Sequence, residues 1–305
     1  MSAAPPSVSS TSCWVVPGKD DLVLTQEATL RRAAFGDAPD IADRELASAS
    51  GDRCRWLAAV VLGARGRYAA AATLLRPLAH GRDPLLAALA GATFAAHRRQ
   101  LGGHAAALAA DGAALLNASR AGGAPDVDGL DPAGARVDAL LGLAADNLGL
   151  GRLTAARRLL EVAGAQRRGW RAEVRFGWVS AELALAGGDA KAAVTHAQRA
   201  AGLARDRGAA RHAIKSDLIL GAALAATGEP DARTRAADLV AGALEAAATC
   251  RLASLAWPAG LLAADLEPAS TGWNRARVTR ELYALLPAVD PDGRRLARAS
   301  PWVPI

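Results

Sequence analysis

Aromatic residues make up only 4% of the 305-residue chain, and runs of β-branched residues are rare. Strands draw on those residue types, so a sheet-built core is excluded. Lysine occurs only at Lys19, Lys191 and Lys215, and arginine therefore carries nearly all of the formal charge of +6. An arginine excess beside so much alanine and glycine is what a G+C-rich coding sequence produces, which makes the basic charge a weak pointer to nucleic acid. The three cysteines, Cys13, Cys54 and Cys250, are far apart and form no C-x-x-C pair, so neither a disulfide framework nor a zinc knuckle is signalled. The longest near-apolar run, Pro84 to Ala96, is closed by Asp83 and His97-Arg98-Arg99 and falls short of the roughly 20 residues that a membrane helix needs. Met1 to Thr11 lacks a cationic start followed by an apolar block, so no secretory signal is expected. A cytoplasmic protein without membrane contact is the expectation.

What is present is alanine. Hydrophobic residues reach 51% of the chain, enough for a sizeable core, but alanine has the highest helix propensity and buries little surface per residue. Many helices at close approach around a thin core are the consequence, and an all-α fold is expected.

Composition shifts divide the chain. Residues 1–25 are rich in Ser, Pro and Ala and read as a flexible arm, in which Cys13-Trp14-Val15-Val16 is an apolar tetrad able to dock, and a short helix over Leu22 to Ala34 closes at Gly36. Residues 26–120 hold N-terminal helical repeats, 121–131 form a Gly, Pro and Asp-rich loop that divides or pads the array, 132–286 hold further helix pairs, and 287–305 form a basic tail. Asp83-Pro84 and Asp131-Pro132 place a capping carboxylate just before a proline at the first helical position, the favoured helix start. Asp189 and Thr154 are placed as further caps.

Glycines punctuate the helices at Gly66, Gly103, Gly151, Gly188 and Gly228, with intervals of 37, 48, 37 and 40 residues; the loop after Ala121 accounts for the 48. This spacing belongs to two-helix solenoid units. Five residues after each turn stands a small or apolar residue, Ala71, Leu108, Ala156 and Ala193, until Arg233 breaks the series after Glu229-Pro230. Gly66-Arg67-Tyr68 followed by Ala71, Leu75 and Leu78, the trio Ala181, Ala193 and Ala200 around Gly188, and the trio Ala144, Ala156 and Ala163 around Gly151 resemble the turn and small packing positions of the tetratricopeptide family. Several units are longer than that family's repeat, and its closing proline is missing after most second helices. The resemblance implies a divergent right-handed αα-superhelix, a tetratricopeptide-like solenoid of five to six helix pairs, with a generic alanine-rich bundle as the alternative.

No linear motif carries chemistry. The five histidines, His80, His97, His104, His196 and His212, form no H-E-x-x-H and stand near no cysteine at metal spacing, so surface or turn positions are expected for them rather than metal ligation. No G-x-G-x-x-G follows a strand, and no phosphate loop or nucleophile elbow is present. Neither an enzyme nor a cofactor is expected. The sharper signal lies on two successive first helices. Arg171, Arg175, Trp178 and Glu182 fall on one helix face at i, i+4, i+7 and i+11, and Arg211, Lys215, Leu218 and Ala222 repeat that spacing forty residues later. First helices line the concave groove in the resembled family. Arg171, Arg175, Trp178, Glu182, Arg211, Lys215 and Leu218 are therefore the candidate partner-binding set: a cationic floor with an apolar wall, suited to an acidic peptide or protein partner. The expected role is a non-catalytic interaction scaffold or adaptor. The alternative is a regulator of transcription, acting through a transcription factor or directly on nucleic acid; no helix-turn-helix segment supports it.

Overall fold

The computed structural model describes residues 19–267 and 271–305. The expected arm up to residue 18, with its Cys13-Val16 tetrad, lies outside the described residues. Among those described the protein is all-helical, with 78% helix and no strand. The helices are α1 (Lys19–Phe35), α2 (Asp43–Ala47), α3 (Asp52–Ala64), α4 (Tyr68–Ala79), α5 (Pro84–Gln100), α6 (His104–Ala118), α7 (Pro132–Gly149) and α8 (Leu153–Gln166). They continue as α9 (Trp170–Ala186), α10 (Ala190–Asp206), α11 (Ala210–Ala226), α12 (Pro230–Thr249), α13 (Ala253–Leu266), α14 (Thr271–Leu285) and α15 (Pro291–Ala299), with a 3₁₀ turn at Leu286–Ala288 before the last.

From α3 onward the helices pack in sequence-adjacent pairs, and the first helix of each pair also packs on the first helix of the next. The series α3, α5, α7, α9, α11 and α13 then returns on itself, because α13 packs on α3. These helices surround a central chamber, and their partners form the outer layer. The two ends of the series meet with an axial offset. The start of α13 touches the far ends of the early helices: Gln100 Nε2 at the end of α5 donates to the Ser254 carbonyl at 2.6 Å, and Ala253 sits beside the turn at Gly66. Helix α1 fills the remaining notch, packing on both α3 and α11.

The helix starts follow local chemistry. Asp83 accepts from the backbone N–H of Leu85 at 2.8 Å, Asp131 from Gly134 at 2.7 Å and Asp189 from Ala192 at 2.9 Å. Each satisfies an N–H that has no partner within the helix. Thr154 is no cap: α8 begins at Leu153 and its cap position, Arg152, contributes no side-chain bond.

The repeat register needs one correction. Of Gly102 and Gly103, the first occupies the left-handed turn conformation, with φ of 72°, in line with 75° at Gly66, 73° at Gly151, 79° at Gly188 and 74° at Gly228. Counting five residues on from Gly102 gives Ala107, which is fully buried, whereas the expected Leu108 is only partly so. In the last of these turns Glu229 enters α12 in an extended conformation, and the buried stripe moves one residue earlier to Ala232 and Ala236. The small residues of the expected trios, Ala144, Ala156, Ala163, Ala181, Ala193 and Ala200, are all buried at helix crossings. Where neighbouring backbones run this close, only small side chains fit between them.

The 121–131 loop pads the array without separating it, since α6 packs on α7 across it. Arg31 of α1 holds it through Asp126, at 2.8 Å, and Asp128, at 3.0 Å. Against the burial that pushes it up, the Arg31 guanidinium and the Leu130 and Asp128 N–H groups hold the Asp126 carboxyl down at about 2. The expected basic tail is ordered too. Asp290 accepts both terminal nitrogens of Arg98 at 2.9 Å, and Val303 is buried beside Leu101 and Ala297. No helix among the described residues is long and apolar enough to cross a membrane.

Candidate functional site

The central chamber has a volume of about 670 Å³, within the roughly 300–1,000 Å³ of pockets that take small ligands. Its wall is contributed by α3, α5, α7, α9, α11 and the start of α13, with Trp302 of the C-terminal tail at its edge. Six of the seven predicted residues meet here: Arg171, Arg175, Trp178, Glu182, Arg211 and Lys215. Leu218 does not. It is buried in the packing between helices, because α11 lines the chamber only over its first turns. The return of α13 to α3 adds a further wall to the groove expected from the repeat pattern and makes it a half-open chamber.

The cations divide by partnership. Arg171 is spent on structure: its Nη1 donates to Asp138 at 2.7 Å, its Nε to the Asp128 carbonyl at 2.6 Å and its Nη2 to the Gly129 carbonyl at 3.1 Å. Arg175 donates to the other oxygen of Asp138 at 2.9 Å. Arg99 bridges Asp146, at 2.8 Å, and Asp111. Arg211 and Lys215 have no ion-pair partner among the described residues. Burial, reinforced by Arg175 and Arg171, pushes the Arg211 guanidinium down to about 10. Burial also lowers Lys215, and Arg175 and Arg211 add to that against the pull of Glu182. Lys215 Nζ lies 4.5 Å from the centre of the Trp178 ring, whose Nε1 donates to Ser216 Oγ at 2.8 Å.

The histidines correct the sequence reading. His97, His104 and His212 line the chamber rather than the surface. His212 is stacked on Trp178 with ring centres 5.4 Å apart and meets Trp170 edge-on at 5.0 Å. Burial and the surrounding Arg211, Arg171, Arg175 and Lys215 hold it well below its ordinary value, so it is neutral. His97, against Tyr68 at 5.3 Å, is pushed down to about 3 by burial and then by Arg211 and Arg98. The positive charge of the chamber is therefore that of arginine and lysine, not of histidine.

Small residues make up much of the opposite wall, Gly63 and Ala64 of α3, Ala92 and Ala96 of α5, Gly142 and Ala145 of α7, beside the charged Arg99 and Asp138. None of these, nor Trp56, Tyr68, Arg99 or Asp138, was singled out from the sequence for this site. They come from units as far up the chain as α3, and only the packing of the whole array brings them around α9 and α11. Among the described residues no three His, Cys, Asp or Glu side chains converge to hold a metal ion. No protein-family model and no curated protein matches this chain.

Proposed function

We propose that this protein is a non-catalytic binding module, a tetratricopeptide-like superhelix of about one turn, whose partner places an acidic group inside the central chamber. The observation that supports it most is the pair Arg211 and Lys215: two cations face the chamber without an ion pair among the described residues, Lys215 feeling only the longer-range pull of Glu182, while Arg99, Arg171 and Arg175 in the same wall are all paired. Keeping charges in a low-dielectric interior is costly unless they are compensated, and an entering carboxylate or phosphate supplies the compensation with charge-assisted hydrogen bonds. Walls from six inner helices favour a chain end or a compact ligand over a length of extended peptide. The proposed setting is a cytoplasmic interaction protein.

Isothermal titration with acidic peptides, compared between the wild type and the Arg211→Ala and Lys215→Ala variants, tests this reading. Each variant is expected to lose about ten-fold or more in affinity, the effect of removing one charge-assisted contact. Equal affinity in all three proteins would refute it. The regulatory alternative predicts instead binding to random-sequence DNA with steep salt dependence.

A further inference from the structure

The chamber is two-faced, and both faces constrain what fits. On the α9 and α11 side stand Arg175, Arg211 and Lys215. Asp138 is shared between Arg171 and Arg175 and compensates only one of them, and Glu182 is the only other carboxylate in the lining set. A cationic excess is left. Tyr68 adds a donor beside it: the side chain is 2% exposed, its hydroxyl is buried with no hydrogen-bond partner among the described residues, and it lies within electrostatic reach of Arg211. Burial raises the Tyr68 hydroxyl above its ordinary value, so it keeps its proton. A buried hydroxyl left unpaired is destabilising, a loss that an acceptor on a ligand removes.

Away from Arg99 of α5 and Asp138 of α7, the other face is uncharged. Ala64, Ala92, Ala96 and Ala145 with Gly63 and Gly142 form a smooth, shallow wall. Trp56 and Trp178 belong to the same lining, and the indole N–H of each is already bonded, to Thr93 at 3.0 Å and to Ser216 at 2.8 Å. Trp56 is 2% and Trp178 6% exposed, so the two add no free donor to the chamber and little surface. A small, fully hydrated anion would gain nothing from this half of the chamber.

Resting on the binding-module reading, we propose that the ligand is a compact amphipathic dianion: a doubly charged head, of the phosphate monoester class, joined to a flat apolar body. Arg175, Arg211, Lys215 and the Tyr68 hydroxyl take the head. The wall of small residues takes the body. The charge excess selects two negative charges over one, and the apolar half selects an organic phosphate over the bare ion.

Titration of the wild-type protein at one pH and salt concentration with 1-naphthyl phosphate, 1-naphthalenesulfonate and inorganic phosphate separates the parts. The naphthyl phosphate is expected to bind at least ten-fold tighter than the sulfonate, which has the same body and one charge, and at least ten-fold tighter than inorganic phosphate, which has the head alone. Ala96→Phe, which fills the apolar half, should weaken the naphthyl phosphate and leave inorganic phosphate unchanged. Lys215→Met should erase the preference for phosphate over sulfonate. Equal binding of phosphate and sulfonate, or of inorganic and naphthyl phosphate, overturns the proposal. Should an acidic peptide bind in an Arg211-dependent manner while the naphthyl phosphate does not, the ligand class is wrong and the binding module stands. If neither binds, both fail.

Discussion

Arg171 and Arg175, one turn apart on α9, divide a single carboxylate: Asp138 of α7 accepts from Arg171 on one oxygen at 2.7 Å and from Arg175 on the other at 2.9 Å. This ties two inner helices together and leaves the arginine pair with half the negative charge it needs. Asp138→Asn removes that charge from a site only 5% exposed. Losing one member of a buried ion pair costs about 3–5 kcal/mol, so the melting temperature should drop by many degrees. Sulfate or phosphate, entering the chamber beside Arg175, should restore part of the loss. A variant that melts like the wild type, or one indifferent to both anions, would contradict this account of the chamber.

Ala193 has no exposed surface and lies where α10 crosses α9. Ala193→Arg should cost about 3 kcal/mol or more, combining overpacking with an unpaired buried charge. Chemical denaturation measures it. An unchanged midpoint would show that the packing register around Gly188 is wrong.

Stability should fall as the solution is acidified through the histidine range. His97 and His212 titrate well below 6.5 in the folded protein, so the unfolded chain binds protons that the folded one refuses. Stability is then lost as pH drops from about 6.5 toward about 3, the value to which His97 is pushed. Asp111 acts in the opposite sense: burial, opposed by Arg99, raises its carboxyl above 3.8, and its contribution weakens as pH rises through that window. His97→Leu should flatten the acid limb of a plot of melting temperature against pH. An unaltered limb would assign the acid sensitivity to other groups.

Gly102 and Gly188 share a left-handed turn conformation and differ in what surrounds them. A Cβ at Gly188 would meet nothing within 4 Å, whereas one at Gly102 would fall 1.9 Å from Ser300 Oγ of the C-terminal tail. Gly188→Ala should therefore cost about 1–2 kcal/mol, the backbone term alone, and Gly102→Ala should cost more. Truncation after Ala299 removes the second obstacle and should bring the two costs together. Equal costs in the full-length chain would mean that the tail does not dock against this turn.

Much of the molecule was legible in the sequence because helices are local. Alanine content, the Asp-Pro starts at Asp83 and Asp131 and the turn glycines depend on residues a few positions apart, and the helix pairs follow from them. One miss in register was local as well: sequence spacing cannot say which of Gly102 and Gly103 takes the positive φ. The candidate face on α9 and α11 was readable for the same reason, since a helix brings i, i+4 and i+7 together whatever surrounds it.

Whether that face opened onto a groove or a chamber was decided elsewhere. The return of α13 to α3, the offset contact between Gln100 and Ser254, the pairing of Asp138 with two arginines and the burial of His97 and His212 all depend on how helices far apart in the chain pack against one another. By itself the sequence determined which residues share a helix face; only the tertiary structure decided what stands opposite them, because that depends on many weak contacts between distant helices and no single stretch of chain encodes their sum.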